Sequence, residues 1–223
     1  MYKNYYKRWI DILLSLIALP FFLVILCVFS PIIWFTDHGP VFYNYPRLGK
    51  VGKVFKMFKF RSMIVNAPDI RNADGSTYND DNDPRLTKIG QFMRKTSIDE
   101  TPQILNVLFG NMSLIGPRAH IITNYNGYDS LDEDRKRRLS VLPGITGYNQ
   151  AYYRNSVSSE QKLKNDIYYV DHLTFEMDVK VLFKTAVSVL KQENIYVEQH
   201  GETTVETVEQ PEETKQTIEV GSK

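Results

Sequence analysis

The chain has 223 residues, 43% of them hydrophobic, and a formal charge of +1 that hides an uneven distribution: residues 198–223 hold seven glutamates against two lysines, which leaves +6 on the rest. This is length for one domain with additions and enough apolar content for a core, and the basic body suits an anionic membrane face or an anionic substrate. A single cysteine, Cys27, rules out an internal disulfide, and neither it nor the scattered His38, His120, His172 and His200 shows a zinc-type spacing.

The first eight residues are polar and basic (Lys3, Lys7, Arg8). From Ile12 to Phe35 no charge interrupts 24 residues; as a straight helix these would measure roughly 36 Å, enough to cross a bilayer. The apolar run is too long for a cleaved signal peptide, and no small-residue cleavage site follows it. Length alone favours one straight span. Two features favour a helix-break-helix that enters and leaves by the same face. Pro20 sits mid-segment and removes a backbone hydrogen bond, with Ser30–Pro31 as a second break further on. Both flanks are basic, with Arg47, Lys50, Lys53, Lys56, Lys59 and Arg61 following the segment, and basic flanks stay in the cytoplasm. Each limb would be about 15–18 Å, half the hydrocarbon thickness. Pro20 is the preferred break for its central position, with Ser15 or Ser30 as partners for the freed carbonyls. Asp11 has Arg8 as a possible partner.

Gly39–Met63 reads as turns and strands, with Lys56–Arg61 as a strand or an interfacial strip. Asn66–Pro84 is an Asp/Asn-rich loop without the glycine and terminal glutamate of a calcium loop; it reads as a mobile surface loop, with a lid as its functional reading. Leu86–Lys95 predicts a short helix with Ile89, Phe92 and Met93 on one face. Thr101–Pro102 suits a cap and first position for a helix that runs to about Phe109, buries Leu105 and Leu108, and stops at Gly110. Tyr128–Leu139 and Gln161–Tyr169 predict further helices, and Pro143–Gly147 a turn. In Val179–Lys191, the residues Val179, Leu182, Phe183, Ala186, Val189 and Leu190 share a face, read as core-packing, with interfacial membrane contact as the alternative. The acidic tail reads as solvated and disordered. The expected layout is a membrane hairpin over residues 1–36, a helix-rich α/β catalytic domain over 37–197 and a tail over 198–223.

Asp99 and Glu100 stand together before Pro102, with Arg94 and Arg118 on either side in sequence. A helix start offers free N–H groups and partial positive charge, which suit a carboxylate or a phosphate. A divalent cation relieves the repulsion between neighbouring carboxylates, and magnesium takes one or two carboxylates plus phosphate oxygens. One acid can then hold metal while the other attacks phosphorus, with arginines balancing the transition-state charge. Taken alone, a simple helix cap explains such a pair equally well.

The block Ser97–Arg118 (SIDETPQILNVLFGNMSLIGPR) resembles the signature of the bacterial sugar transferases, the monotopic phosphoglycosyl transferases. Lys7–Asp11 (KRWID), Gly39–Tyr43 (GPVFY), Lys59–Met63 (KFRSM), Asp83–Ser97, Pro143–Gly147 (PGITG) and Asp166–Val170 (DIYYV) follow the family's order, so the similarity covers roughly residues 5–192. The resemblance implies transfer of a sugar phosphate from a UDP-sugar to a polyprenol phosphate, with UMP released, at the cytoplasmic face of a bacterial cell membrane. It implies Asp99 as the nucleophile that forms an aspartyl phosphosugar, and Glu100 as the ligand of magnesium (Mg2+). Arg94, Pro117 and Arg118 fall on phosphate- or nucleotide-binding motif positions, with Lys59, Arg61 and Arg154 as weaker carry-overs. The family's membrane segment is a re-entrant helix-break-helix. Membrane lipids and downstream glycosyltransferases are implied partners; nucleic acid is not. The chain departs from the family at Asn111 (often Asp), Ala119 (often Pro) and Tyr153 (often Gly), which bears on nucleotide or sugar preference. Two other readings remain at this point: a membrane-anchored phosphohydrolase using the same aspartate, and a non-catalytic adaptor with a basic lipid-binding face.

Overall fold

The computed structural model describes residues 2–70, 78, 80, 82–122, 126–153 and 156–191, apart from the side chains of Asn4 and Leu190. A π-type turn over Tyr2–Tyr6 leads directly into α1, Lys7–Asp37. Down the chain follow β1 (Tyr45–Leu48), β2 (Val54–Met57), α2 (Lys88–Thr96), a 3-10 turn over Ile98–Glu100, α3 (Gln103–Leu108), β3 (Ser113–Ile115), β4 (His120–Ile121), α4 (Glu133–Arg138), β5 (Gly144–Thr146), α5 (Tyr148–Tyr152), α6 (Ser159–Asp171) and α7 (Phe175–Leu190). The antiparallel sheet runs β2-β1-β4, and β3 pairs with β5 in parallel. The result is the helix-rich α/β body expected. The tail from 198 lies outside the described residues.

The helix α1 is one continuous element of 31 residues, about 46 Å long at 1.5 Å per residue. Pro20 and Pro31 both lie inside it, so neither Pro20 nor Ser30–Pro31 breaks the helical run. Each proline deletes one rung, but the apolar neighbours on both sides continue the ladder past it. Ser15 is fully buried and its hydroxyl has no hydrogen-bond partner among the described residues, so it does not satisfy a freed carbonyl. One stripe, Lys7, Asp11, Ser15, Phe22 and Ile33, is buried. Leu13, Leu16, Ile17, Phe21, Val24, Val28 and Phe35 face outward.

Both ends of α1 are bonded to the same body. Lys7 Nζ lies 2.6 Å from Asp178 on α7, and Arg61 holds Asp37 from the other end at 2.6 Å. Asp11 accepts hydrogen bonds from the Ser113 hydroxyl (2.7 Å) and the Leu114 N–H (3.2 Å), not from Arg8. Arg8 donates instead to the carbonyls of Leu108 and Met112. Between these ends, Phe22 and Ile33 join Phe60, Met93 and Ile104 in one apolar cluster, and Phe29 stacks on Phe92 of α2. Phe92 is therefore turned toward α1 and half-exposed, while Met93 faces inward.

Three further expectations are corrected. The strand predicted over Lys56–Arg61 ends at Met57, and only a single bridge pairs Phe60 with Phe42. The helix α3 buries Ile104 and Val107 in place of Leu105 and Leu108, and Thr101 does not cap it; its hydroxyl donates back to the Ile98 carbonyl. The helix α7 turns Val179, Leu182 and Phe183 outward, with Phe183 73% exposed, and buries Val181, Asp178 and Ser188. Periodicity fixes which residues share a face but not which face the body covers. Here the inner face carries Asp178 and Thr185, whose hydrogen bonds to Tyr169, Lys7 and Thr146 can be met only inside.

The loop from Asn66 to Pro84 is described in part, with 71–77, 79 and 81 outside the described residues. Its described portion is tied down by Arg85, which pairs with Asp83 (2.7 Å) and donates to the carbonyls of Pro68, Ile70 and Tyr78.

Candidate active site

The helix α2 ends at Ser97, whose positive φ of 57° turns the chain into the Ile98–Glu100 turn. Asp99 and Glu100 therefore sit on a separate turn between α2 and α3, and their electrostatic partners are side chains and not a helix end. The Phe60 N–H donates to the Asp99 carbonyl at 2.9 Å, which sets Lys59 beside the pair. Lys59 Nζ lies 2.7 Å from Asp99 Oδ2 and 3.5 Å from Glu100 Oε1. Arg118 meets Glu100 Oε1 at 2.7 Å from the other side.

Arg118 is aimed by close backbone packing. A Cβ at Gly144 would fall 2.1 Å from the Gly116 nitrogen, and one at Gly147 would fall 2.0 Å from the Gly116 oxygen. The PGITG segment is thus half strand, β5, and its glycines let it lie flush against the turn that presents Arg118. The Gly144 N–H donates to the Pro117 carbonyl at 2.9 Å. Arg138 holds the Arg118 carbonyl at 2.7 Å while pairing with the buried Asp166 at 2.6 Å. Gly90 serves α2 in the same way: a Cβ there would lie 1.8 Å from the Ser62 carbonyl oxygen.

The two neighbouring carboxyls are shifted in opposite directions. Asp99 is only 2% exposed. Burial pushes its carboxyl above the ordinary aspartate range, opposed by Lys59 and reinforced by the charge of Glu100. Burial acts on Glu100 in the same sense, but Arg118 and Lys59 overcome it and hold that carboxyl well below its usual range. The Arg118 side chain is 51% exposed, so the cluster opens to solvent on its side.

Of the remaining sequence candidates, Arg94 reaches the site: its Nε donates to the Ser62 hydroxyl (3.1 Å), and its charge acts on Asp99. Pro117 is buried in the turn that presents Arg118. Arg61 is not at the acid pair. It is committed to Asp37 and to the Pro40 carbonyl at the end of α1. Arg154 lies outside the described residues. Pro20, Ser30 and Pro31 lie on α1, whose Phe22 packs against Phe60, the residue after Lys59. Sequence reasoning passed over Arg138 and Asp166; Asp166 opens the DIYYV motif, the one visible signal between them.

Magnesium fits the donor set. Two adjacent carboxylates suit a cation that completes its shell with phosphate oxygens and water, and no third Asp, Glu, His or Cys joins them among the described residues. Glu100 is its natural holder because its charge is already fixed.

A buried carboxylate beside a clamped one, with cations on both, suits the handling of an anion, and the body carries one helix long and apolar enough to cross a membrane. The profile described as bacterial sugar transferase matches residues 2–192, and the chain belongs to that family. It is similar to the uncharacterized sugar transferase EpsL of Bacillus subtilis, 42% identical over 183 residues covering 79% of this chain and 86% of EpsL. The undecaprenyl-phosphate galactose phosphotransferase of Salmonella typhimurium is 36% identical over 211 residues, 87% of this chain and 42% of its own length. The UDP-glucose:undecaprenyl-phosphate glucose-1-phosphate transferase of Escherichia coli is 37% identical over 184 residues, 80% and 39% respectively. The chain spans about two fifths of these longer relatives.

Proposed function

We propose that the protein is a phosphoglycosyl transferase that moves a sugar phosphate from a UDP-sugar to a polyprenol phosphate and releases UMP, initiating exopolysaccharide, capsule or glycoconjugate assembly. The observation that carries this reading is the buried Asp99, 2.7 Å from Lys59 and next to a Glu100 clamped by Arg118. The names of the relatives supply the substrate class.

An Asp99 carboxylate oxygen attacks the sugar-bearing phosphorus. The bond from that phosphorus to the bridging oxygen breaks, and UMP leaves with the electron pair. Lys59, 2.7 Å from Asp99, opposes the effect of burial and favours the ionised carboxylate that attacks, and its charge would balance that of the phosphoryl group. Glu100 would hold magnesium, which would neutralise diphosphate charge. A phosphate oxygen of the polyprenol phosphate then attacks the same phosphorus, and the acyl-phosphate bond breaks to return Asp99. One phosphoanhydride replaces another, so no other energy source is needed. Water exclusion around Asp99 protects the intermediate.

Membrane association by one face supports this chemistry. Both ends of α1 are bonded to one body, which supports a helix held on one, cytoplasmic, side over one that crosses; a return bend would fall at Pro20 or Pro31, where the ladder lacks a rung. The outward Phe175, Val179 and Phe183 of α7 extend the apolar surface, joined to the start of α1 through Tyr2 against Phe175. The tethered acceptor phosphate then meets Asp99 at headgroup depth, as a near-intramolecular encounter. The product would pass to downstream glycosyltransferases.

Intact-mass measurement after soaking with a UDP-sugar panel is expected to show a phosphosugar adduct that maps to Asp99, with about one UMP released per enzyme. An adduct elsewhere, or continuous UMP release into water without lipid, overturns the transfer reading in favour of hydrolysis. Labels at Tyr2 and in the tail are expected on the same, cytoplasmic, side.

A further inference from the structure

Lys59 stands beyond the end of β2, where the regular ladder has stopped, yet its ammonium meets Asp99 at 2.7 Å and Glu100 at 3.5 Å. The backbone on either side of it must therefore be held by something other than β1. One edge of this stretch is served by the chain that precedes β1. The Tyr43 N–H donates to the Lys59 carbonyl at 2.8 Å, and the Arg61 N–H donates to the Val41 carbonyl at 2.9 Å. Among the described residues no strand lies along the other edge. There the Phe60 N–H donates to the Asp99 carbonyl at 2.9 Å. The two groups before it are met by one side chain, Asn106 of α3. Its Oδ1 accepts from the Phe58 N–H and its Nδ2 donates to the Lys56 carbonyl, each at 2.8 Å.

The partners fix the orientation of this amide. A backbone N–H can only donate and a backbone carbonyl only accept, so the oxygen faces Phe58 and the nitrogen faces Lys56. A carboxamide offers one acceptor and one donor side by side, as a residue of a neighbouring strand would, and Asn106 stands in for that strand. Neither alanine nor aspartate could make both bonds. The amide is also firmly placed. Asn106 is fully buried, and its own carbonyl accepts from the N–H groups of Asn111 (2.9 Å) and Met112 (3.1 Å) in the turn after α3. The helix that carries it begins at Gln103, three residues after Glu100. One short element thus sets the end of β2 against the acid pair.

We infer that Asn106 is a positioning residue for the transfer reaction: it fixes the register of residues 56–60 against the acid turn and so places the Lys59 ammonium on Asp99. This rests on the transfer reading above. A slip of one residue would turn Lys59 to the opposite face and bring Phe58 or Phe60 toward the carboxylate.

Two measurements on the full-length protein in detergent test this. The first is independent of the reaction. Acylation of lysines by acetic anhydride, mapped by mass spectrometry, should be slow in the wild type at Lys59, whose paired side chain is 19% exposed, and at Lys7, held by Asp178. Asn106→Ala should raise labelling of Lys59 on the order of tenfold and leave Lys7 slow. Asn106→Asp, which keeps the size but sets an oxygen against the Lys56 carbonyl, should do the same. The second is a double-mutant cycle on the rate of donor adduct formation. Asn106→Ala should slow that rate on the order of tenfold to a hundredfold when Lys59 is present, and by less than about twofold in a Lys59→Met background, because Asn106 acts through that ammonium. Wild-type labelling of Lys59 in both Asn106 variants, equal rises at Lys59 and Lys7, or equal rate losses with and without Lys59 overturns the assignment. If Lys59 labelling rises as expected but the wild-type protein forms no adduct with any UDP-sugar, the placement of Lys59 by Asn106 stands and the transfer reading alone falls.

Discussion

Two clusters of carboxylates and cations sit in this molecule, and they are built on opposite principles. Beneath α1, Asp178 accepts from Lys7 (2.6 Å), the Tyr2 hydroxyl (2.7 Å) and the Tyr169 hydroxyl (2.7 Å). Lys7 neutralises Asp178, the neighbouring Asp11 is satisfied by Ser113 and Leu114, and the side chains of Asp178 and Lys7 are only 5% and 11% exposed. At the acid pair, Asp99 and Glu100 lie against Lys59 and Arg118, and the charge of Arg94 acts on Asp99. The first cluster is closed and saturated, as a joint should be. The second is open on the Arg118 side, where the guanidinium is 51% exposed, as an anion site should be. Access, more than charge alone, separates a site from a strut.

The largest expected effect breaks the comparison at its open end. Asp99→Asn should lower turnover at least about a thousandfold, read as UMP release with lipid acceptor, because it removes the nucleophile. Its melting temperature should hold or rise, since it relieves a desolvated carboxylate beside Glu100. Glu100→Gln should cost on the order of a hundredfold in the same assay and weaken the response to added magnesium. Gly144→Ala should cost a few kcal/mol of stability, roughly 2–4 by chemical denaturation, because its Cβ has backbone on every side, and should also reduce activity through misplacement of Arg118.

The closed cluster predicts the inverse pattern. Asp178→Ala should lose about 3–5 kcal/mol, by leaving Lys7 buried without its partner. The fraction that remains folded should still form the donor adduct. The smallest effect concerns His120. Burial, then the charges of Arg138, Arg135 and Arg47, lower it from 6.5 to about 4. The unfolded chain therefore binds the proton more readily, so this stabilisation is complete above pH 6.5 and is lost as pH falls toward 4. His120→Gln should flatten that stretch of the stability–pH curve and leave neutral pH unchanged.

Much of the site could be read from residue order. Asp99, Glu100, Arg94 and Arg118 are close in the chain, and local motifs keep their company. Arg61 shares a basic strip with Lys59, and only the packing of α1 assigns one to Asp37 and the other to Asp99. The face of α7 shows the same limit: its apolar period was visible, and its direction was not.

The sequence by itself determined the apolar helix, the adjacency of Asp99 and Glu100, the glycines of PGITG and the family, because each depends on composition, spacing or motif order along the chain. The tertiary structure alone decided that α1 runs through its prolines with both ends bonded to one body. It likewise decided which cation meets which carboxylate, with Arg61 at Asp37 and Lys59 and Arg118 at the acid pair. Those outcomes depend on which distant residues become neighbours, and charge balance and burial are properties of neighbours.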